Sequence, residues 1–248
     1  MDTDIAKARY AGLKWNSPLS EGHADDLISR LNISDGSTVV DLGCGWAELL
    51  IRAAEQTGAK GIGVDVDANV LQRGRETARK ACAPNVTLVE QQADSWHGSA
   101  DTAICIGSSH ALGGTDAMLS RLAEIVPHGG RVLVGDMCWE KPPSKEAHVM
   151  FGDDVPSLHD LVKSCRRAGW MILHLSTADQ REWDIFESGH RAGLRGWIVA
   201  NPNHKKAEEI RVQQNEREDQ YLTVYRGVLG FVYLVLARCE VALGSECP

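Results

Sequence analysis

At 248 residues with 43% hydrophobic content the chain is long enough to bury a full core, and α/β domains of this size commonly stand alone. A net charge of −8 and a sequence pI near 5.6 argue against a polyanionic partner, since a nucleic-acid binder shows a basic stripe. Seven cysteines, at 44, 82, 105, 138, 165, 239 and 247, form no C-x-x-C pair and no ligand spacing with histidine, so neither a disulfide framework nor a structural zinc site is indicated. Cys44, Cys105 and Cys138 read instead as small buried hydrophobes.

In chain order, the acidic opening Met1-Asp2-Thr3-Asp4 lacks the pattern of a secretory signal. Tyr10, Leu13, Trp15 and Pro18 then precede a helix expected around Glu21 to Leu31. Apolar runs predict strands over 38–42, 60–65, 86–90, 102–107, 130–135, 170–175 and 229–237, with helices over about 46–57, 68–82, 114–126 and 156–168 between them. This alternation calls for parallel strands with right-handed crossovers. Arg73, Arg75, Arg79 and Lys80 share one predicted helix and read as a solvated face. The longest apolar stretch, Val228 to Ala237, is about half a bilayer span and reads as a buried strand, so a cytoplasmic protein with no membrane contact is expected.

The first strand ends in Asp41-Leu42-Gly43-Cys44-Gly45, the strand, glycine turn and helix start that seat a nucleotide-like cofactor. A second acidic strand end, Gly61-Ile62-Gly63-Val64-Asp65, follows about 20 residues later, where a carboxylate can bond both ribose hydroxyls. Glu48 stands where a dinucleotide fingerprint wants its third glycine, and no lysine follows the turn as in a P-loop. NAD and phosphate ligands are disfavoured accordingly. Asp41 would repel a pyrophosphate but suits the positive ammonium and sulfonium of S-adenosylmethionine.

In these motifs, with Gln92-Ala93-Asp94-Ser95-Trp96 after the third strand, the chain resembles the class I S-adenosylmethionine-dependent methyltransferases over about residues 36 to 138. The resemblance implies an α/β fold, a seven-stranded, mostly parallel, doubly wound sheet with an antiparallel last strand and helical lid elements. It implies cofactor contacts from Asp41, Gly43, Gly45, Asp65 and Val66, from Asp94, Ser95 and Trp96, and from Ile106 and Gly107. One domain is expected, with a cap over about 1–35, a core sheet over 36–176 and 225–240, and a lid over 177–224. The lid contains a charged helix, Lys205 to Asp219, that reads as a solvated surface. A homodimer is compatible with the sequence.

Ligands of open α/β sheets sit at the carboxyl ends of the strands. There the loop Ile106-Gly107-Ser108-Ser109-His110-Ala111-Leu112-Gly113-Gly114 lacks the motifs of base, cytosine C5 and arginine methyltransferases. His110 is the candidate base, Asp136 a polar anchor, and Tyr10 the group closing over the sulfonium. Asp136 is also one candidate magnesium ligand, but no full oxygen set assembles around it, so no metal is expected. Trp15, His110, Trp139, Glu182 and Trp183 are the candidate acceptor-binding residues. Tryptophans offer flat apolar walls, and carboxylates at Asp136, Glu140 or Glu182 would attract an amine or accept an indole N–H. G-S-S-H-A-L-G-G, G-D-M-C-W-E-K-P-P and R-E-W-D-I-F-E are similar to bacterial small-molecule methyltransferases of natural-product tailoring, and more loosely to indole C3-methyltransferases. The expected reaction is therefore direct displacement of a methyl group onto a small organic acceptor such as an indole. Oxygen or nitrogen methylation, a non-catalytic cofactor-binding subunit and an NAD-dependent oxidoreductase are the alternatives.

Overall fold

The computed structural model describes residues 3–238, so Cys239, Cys247 and the expected core residues 239 and 240 lie outside the described residues. The chain divides into two compact units. A sheet unit comprises Glu21–Cys138, Pro156–Thr177 and the chain from Phe231, and a helical unit comprises the residues up to Ser20, Trp139–Val155 and Ala178–Gly230.

The strands are β1 (Thr38–Leu42), β2 (Lys60–Asp65), β3 (Val86–Glu90), β4 (Thr102–Ile106), β5 (Arg131–Trp139), β6 (Trp170–Thr177) and β7 (Leu229–Arg238), in the order β3-β2-β1-β4-β5-β7-β6. The pairs from β3 to β5 are parallel, and β6 runs antiparallel to β7 with a bulge between Ile172 and His174. Val39, Val40, Val132, Val134, Leu234 and Leu236 are all but inaccessible, as the continuous apolar runs of a sheet covered on both faces require. α2 (Glu21–Leu31), α3 (Glu48–Thr57), α4 (Ala68–Lys80), α5 (Thr115–Ile125) and α7 (Leu158–Arg167) complete this unit. Met118, Leu119 and Leu122 of α5 and Leu161 and Cys165 of α7 pack with Val132, Val232 and Leu234 in its main core.

Strand limits follow the sequence closely except at β5, expected to end at 135 and observed to continue through Trp139, and at β6, expected to end at 175 and observed to continue through Thr177. Asp136 therefore stands inside a strand rather than in the loop after it. The extension reflects pairing at long range: the Glu140 N–H still donates to the Val228 carbonyl at 3.1 Å, and Val228 is far away in the chain. Cys105 and Cys138 are fully buried as expected, whereas Cys44 is half-buried. The basic face of α4 is only partly solvated, because the Arg73 guanidinium lies 4.0 Å over the Trp46 ring.

The helical unit holds α1 (Thr3–Ala8), α6 (Lys145–Phe151), α8 (Gln180–Ala200), α9 (Ala207–Gln220) and a π turn over Tyr221–Tyr225. Asp179 and Glu182 start α8 as a reciprocal capping box. The charged helix expected as a solvated surface is more than that. Ile210 and Gln214 of α9 are buried, and Arg217 makes two bonds of 2.9 Å to Glu187 of α8, which is 1% exposed. Charge was visible in the sequence, but the buried partner facing it was not. No helix of the described residues is long and apolar enough to cross a membrane.

Candidate cofactor and active site

The turn after β1 is held by backbone and one carboxylate. Gly43 and Cys44 donate N–H groups to the Val64 carbonyl at 2.8 and 3.0 Å, and the Gly45 N–H donates to Asp65 Oδ2 at 2.8 Å. Asp65 Oδ1 accepts from the Asp67 N–H at 3.0 Å, while Asp67, and not Asp65, caps α4 through the Asn69 N–H. Asp65 thus joins the glycine turn to the end of β2 and remains partly exposed, with lone pairs left for a ligand.

Gly43 is at φ +76 and Gly45 at φ +54. At Gly43 the need for glycine is steric as well as conformational: a Cβ there would stand 2.2 Å from Ser108 Oγ. Ser108, 9% exposed, donates Oγ to the carbonyls of Gly43 at 3.3 Å and Ile106 at 3.2 Å, so it clamps the glycine turn to the loop after β4. A Cβ at Gly45 would meet nothing within 4 Å, which leaves an open cradle over the turn. Ala47, at φ +55, takes a left-handed conformation without being glycine and starts α3 two residues later than expected.

Asp41 is 5% exposed, and its burial, reinforced by the Asp65 carboxylate, pushes its pKa up to about 8. A buried acid beside an open cradle suits a cationic group placed there. Asp94 and Ser95 form an exposed 3-10 turn in which Ser95 Oγ donates to Asp94 Oδ1 at 3.0 Å. Trp96 beside them is buried at 9% exposure. Arg121 of α5 donates to the Trp96 carbonyl and makes a 2.9 Å bond with His97 Nδ1, an anchor that sequence reasoning missed. Val66 is 62% exposed; Ile106 ends β4, and the N–H of Gly107 just after it donates to the Gly135 carbonyl at 2.7 Å. His110 lies exposed on the 3-10 turn Ser109–Leu112, and Asp136 Oδ1 accepts from the Met137 N–H at 2.8 Å.

The other expected residues belong to the helical unit. The Trp15 indole N–H donates to the Leu19 carbonyl and Lys14 lies 5.3 Å over its ring, so the residue stabilises its own segment. Tyr10 packs edge-on against His190, with ring centres 6.1 Å apart. Trp139 and Trp183, each 7% exposed, are linked by edge-on contacts through Phe151 and Tyr225. Glu182 does not offer a free carboxylate to an amine: Oε1 accepts from the Ser20 N–H at 2.7 Å and Oε2 from the Asp179 N–H at 3.0 Å. Its role is to hold the start of α8.

A methyltransferase domain model matches residues 33–190. Uncharacterized protein YjhP of Escherichia coli (strain K12) is 27% identical over 232 residues, covering 90% of this chain and 94% of that protein. A SAM-dependent methyltransferase from Geobacter sulfurreducens, solved in complex with S-adenosyl-L-homocysteine, superposes with a TM-score of 0.86 at 26% identity over 94% of this chain and 97% of that one. Its counterpart from Thiobacillus denitrificans, also with S-adenosyl-L-homocysteine, gives 0.85 at 27% identity over 94% and 98%. With a glycine turn, a partly exposed carboxylate at the second strand end and a buried acid beside an open cradle, the chain belongs to the methyltransferase-domain family and is an S-adenosylmethionine-dependent methyltransferase.

Proposed function

We propose that the chain methylates a small, flat organic acceptor, an aromatic ring such as an indole methylated at carbon being the narrower form of that reading. The observation that carries it is the aromatic array of the helical unit, in which Trp139, Phe151, Tyr225, Trp183 and Phe186 follow one another edge to face. Such rings grip a flat apolar molecule.

Asp65 would hold the ribose, Asp94 and Trp96 the adenine, and Asp41 the ammonium end of S-adenosylmethionine. That cofactor supplies an electrophilic methyl group on a sulfonium. The chain's own contribution is alignment, worth several orders of magnitude in rate, together with removal of a proton where the acceptor must lose one. His110, on the loop after β4, is the group proposed to take that proton, with Asp136 as polar anchor. Turnover over an acceptor panel, followed as S-adenosylhomocysteine formation, tests this reading. On the best acceptor His110→Ala is expected to lower kcat by about a hundredfold. An unchanged kcat removes His110 as the base.

Asp41 makes a separate prediction. With its folded pKa pushed up to about 8, far above the ordinary carboxylate range, the folded protein binds more protons than the unfolded chain between that range and pH 8. Stability should therefore fall as pH rises through that window, and Asp41→Asn should flatten the fall in thermal melts. A cation at Asp41 favours the carboxylate, so S-adenosylhomocysteine binding near pH 7 should release about one proton. Calorimetry in buffers of different ionisation heat reads this directly, and Asp41→Asn should abolish it.

A further inference from the structure

Among the described residues of the helical unit, the buried side-chain polar atoms without a hydrogen-bond partner are the indole nitrogens of Trp139 and Trp183 and Nε and Nη1 of Arg191. All are donors. A buried donor left unpaired costs roughly 1–3 kcal/mol, and most buried polar groups find a partner, so an orphan set of one kind marks where an acceptor belongs.

Among the acids of the same unit, Glu182, Asp184 and Glu187 are already engaged. Glu182 accepts from two backbone N–H groups, and Asp184 from Tyr221 and Arg226. Glu187 accepts two bonds from Arg217. The ion network of α8 and α9 sets Arg191, Arg195 and Arg217 against Glu187 and Glu218, three cations to two anions. Arg191 itself is 5% exposed, with Glu187 at 3.5 Å and Glu218 at 3.3 Å. This surroundings disfavours a cationic amine and favours an anion.

We propose that the methyl acceptor carries an anionic oxygen group, a carboxylate or an enolate, which accepts hydrogen bonds from the indole N–H groups of Trp139 and Trp183. This rests on the acceptor-binding role proposed above for the aromatic array. Phe151 packs against both Trp139 and Tyr225, at ring distances of 6.0 and 5.0 Å, and is only half-buried. It ends the seven-residue helix α6, just before Gly152 at φ +83. Tyr225, its neighbour, lies on the π turn, a helix irregularity common at functional sites.

The test uses the full chain with nitrogen-15-labelled tryptophan, saturated with S-adenosylhomocysteine, to which benzoate or naphthoate is added and, in parallel, benzylamine or naphthylmethylamine. The acids are expected to move two indole N–H signals, those missing from the spectra of Trp139→Phe and Trp183→Phe, and each variant should bind naphthoate about tenfold more weakly. The amines should move neither signal. Indole signals unmoved by the acids, or moved equally by the amines, overturn the proposal; this comparison needs only the parent protein, even if a variant fails to fold. Calorimetry on the same sample separates the two readings: absent S-adenosylhomocysteine binding sinks the methyltransferase site, whereas intact binding with silent indoles sinks the oxyanion alone.

Discussion

Asp65→Ala is expected to weaken S-adenosylhomocysteine binding by at least about a hundredfold. The substitution removes the carboxylate proposed for the ribose hydroxyls and also the acceptor of the Gly45 N–H at 2.8 Å and the Asp67 N–H at 3.0 Å. Hydrogen bonds to a charged group contribute roughly 1.5–3 kcal/mol each, so two lost to the ligand amount to about 3 kcal/mol or more, a factor of about 100. Loosening of the turn adds to it. Asp65→Asn, which keeps one acceptor oxygen, should fall between the two. Calorimetric titration decides the matter, and an Asp65→Ala affinity within about threefold of the parent would move the ribose elsewhere.

Gly43→Ala should damage both stability and cofactor binding. Alanine at φ +76 costs about 1–2 kcal/mol, and its Cβ would come within 2.2 Å of Ser108 Oγ and 2.5 Å of Ser108 Cβ. Contacts that short force the β4 loop away, at a further cost of about 1–3 kcal/mol. A melting temperature lower by roughly 5–15 °C follows for a chain of this size. Adding Ser108→Gly removes the clashing atoms, so the double variant should recover the steric part of the loss and retain the conformational part. A double variant no more stable than Gly43→Ala would show that the Ser108 contact is not the cause.

Most of the sheet unit was legible because its signals are local. A β-branched run, a glycine turn and an acidic strand end need only neighbouring residues, and β1 and β2 appear where their patterns stand. The ends of β5 and β6 were less legible, since pairing with β7 prolongs them beyond the local pattern. Ser108 shows the same limit at the site. Its role is a bond to the Gly43 carbonyl 65 positions away, and nothing in its own neighbourhood announces it.

The sequence alone determined the parallel α/β class, the glycine turn between Asp41 and Asp65, and thereby an adenosyl cofactor in place of a dinucleotide, because backbone conformation and strand periodicity are written within a few residues. Only the tertiary structure decided which charges are free. Glu182 looked like an acceptor-binding carboxylate and is a helix cap; Arg217 looked solvated and is paired with buried Glu187; and Trp139 and Trp183 keep unpaired N–H groups. Whether a polar atom is satisfied depends on partners brought from distant parts of the chain, and burial sets the strength of each pairing, so local sequence carries neither.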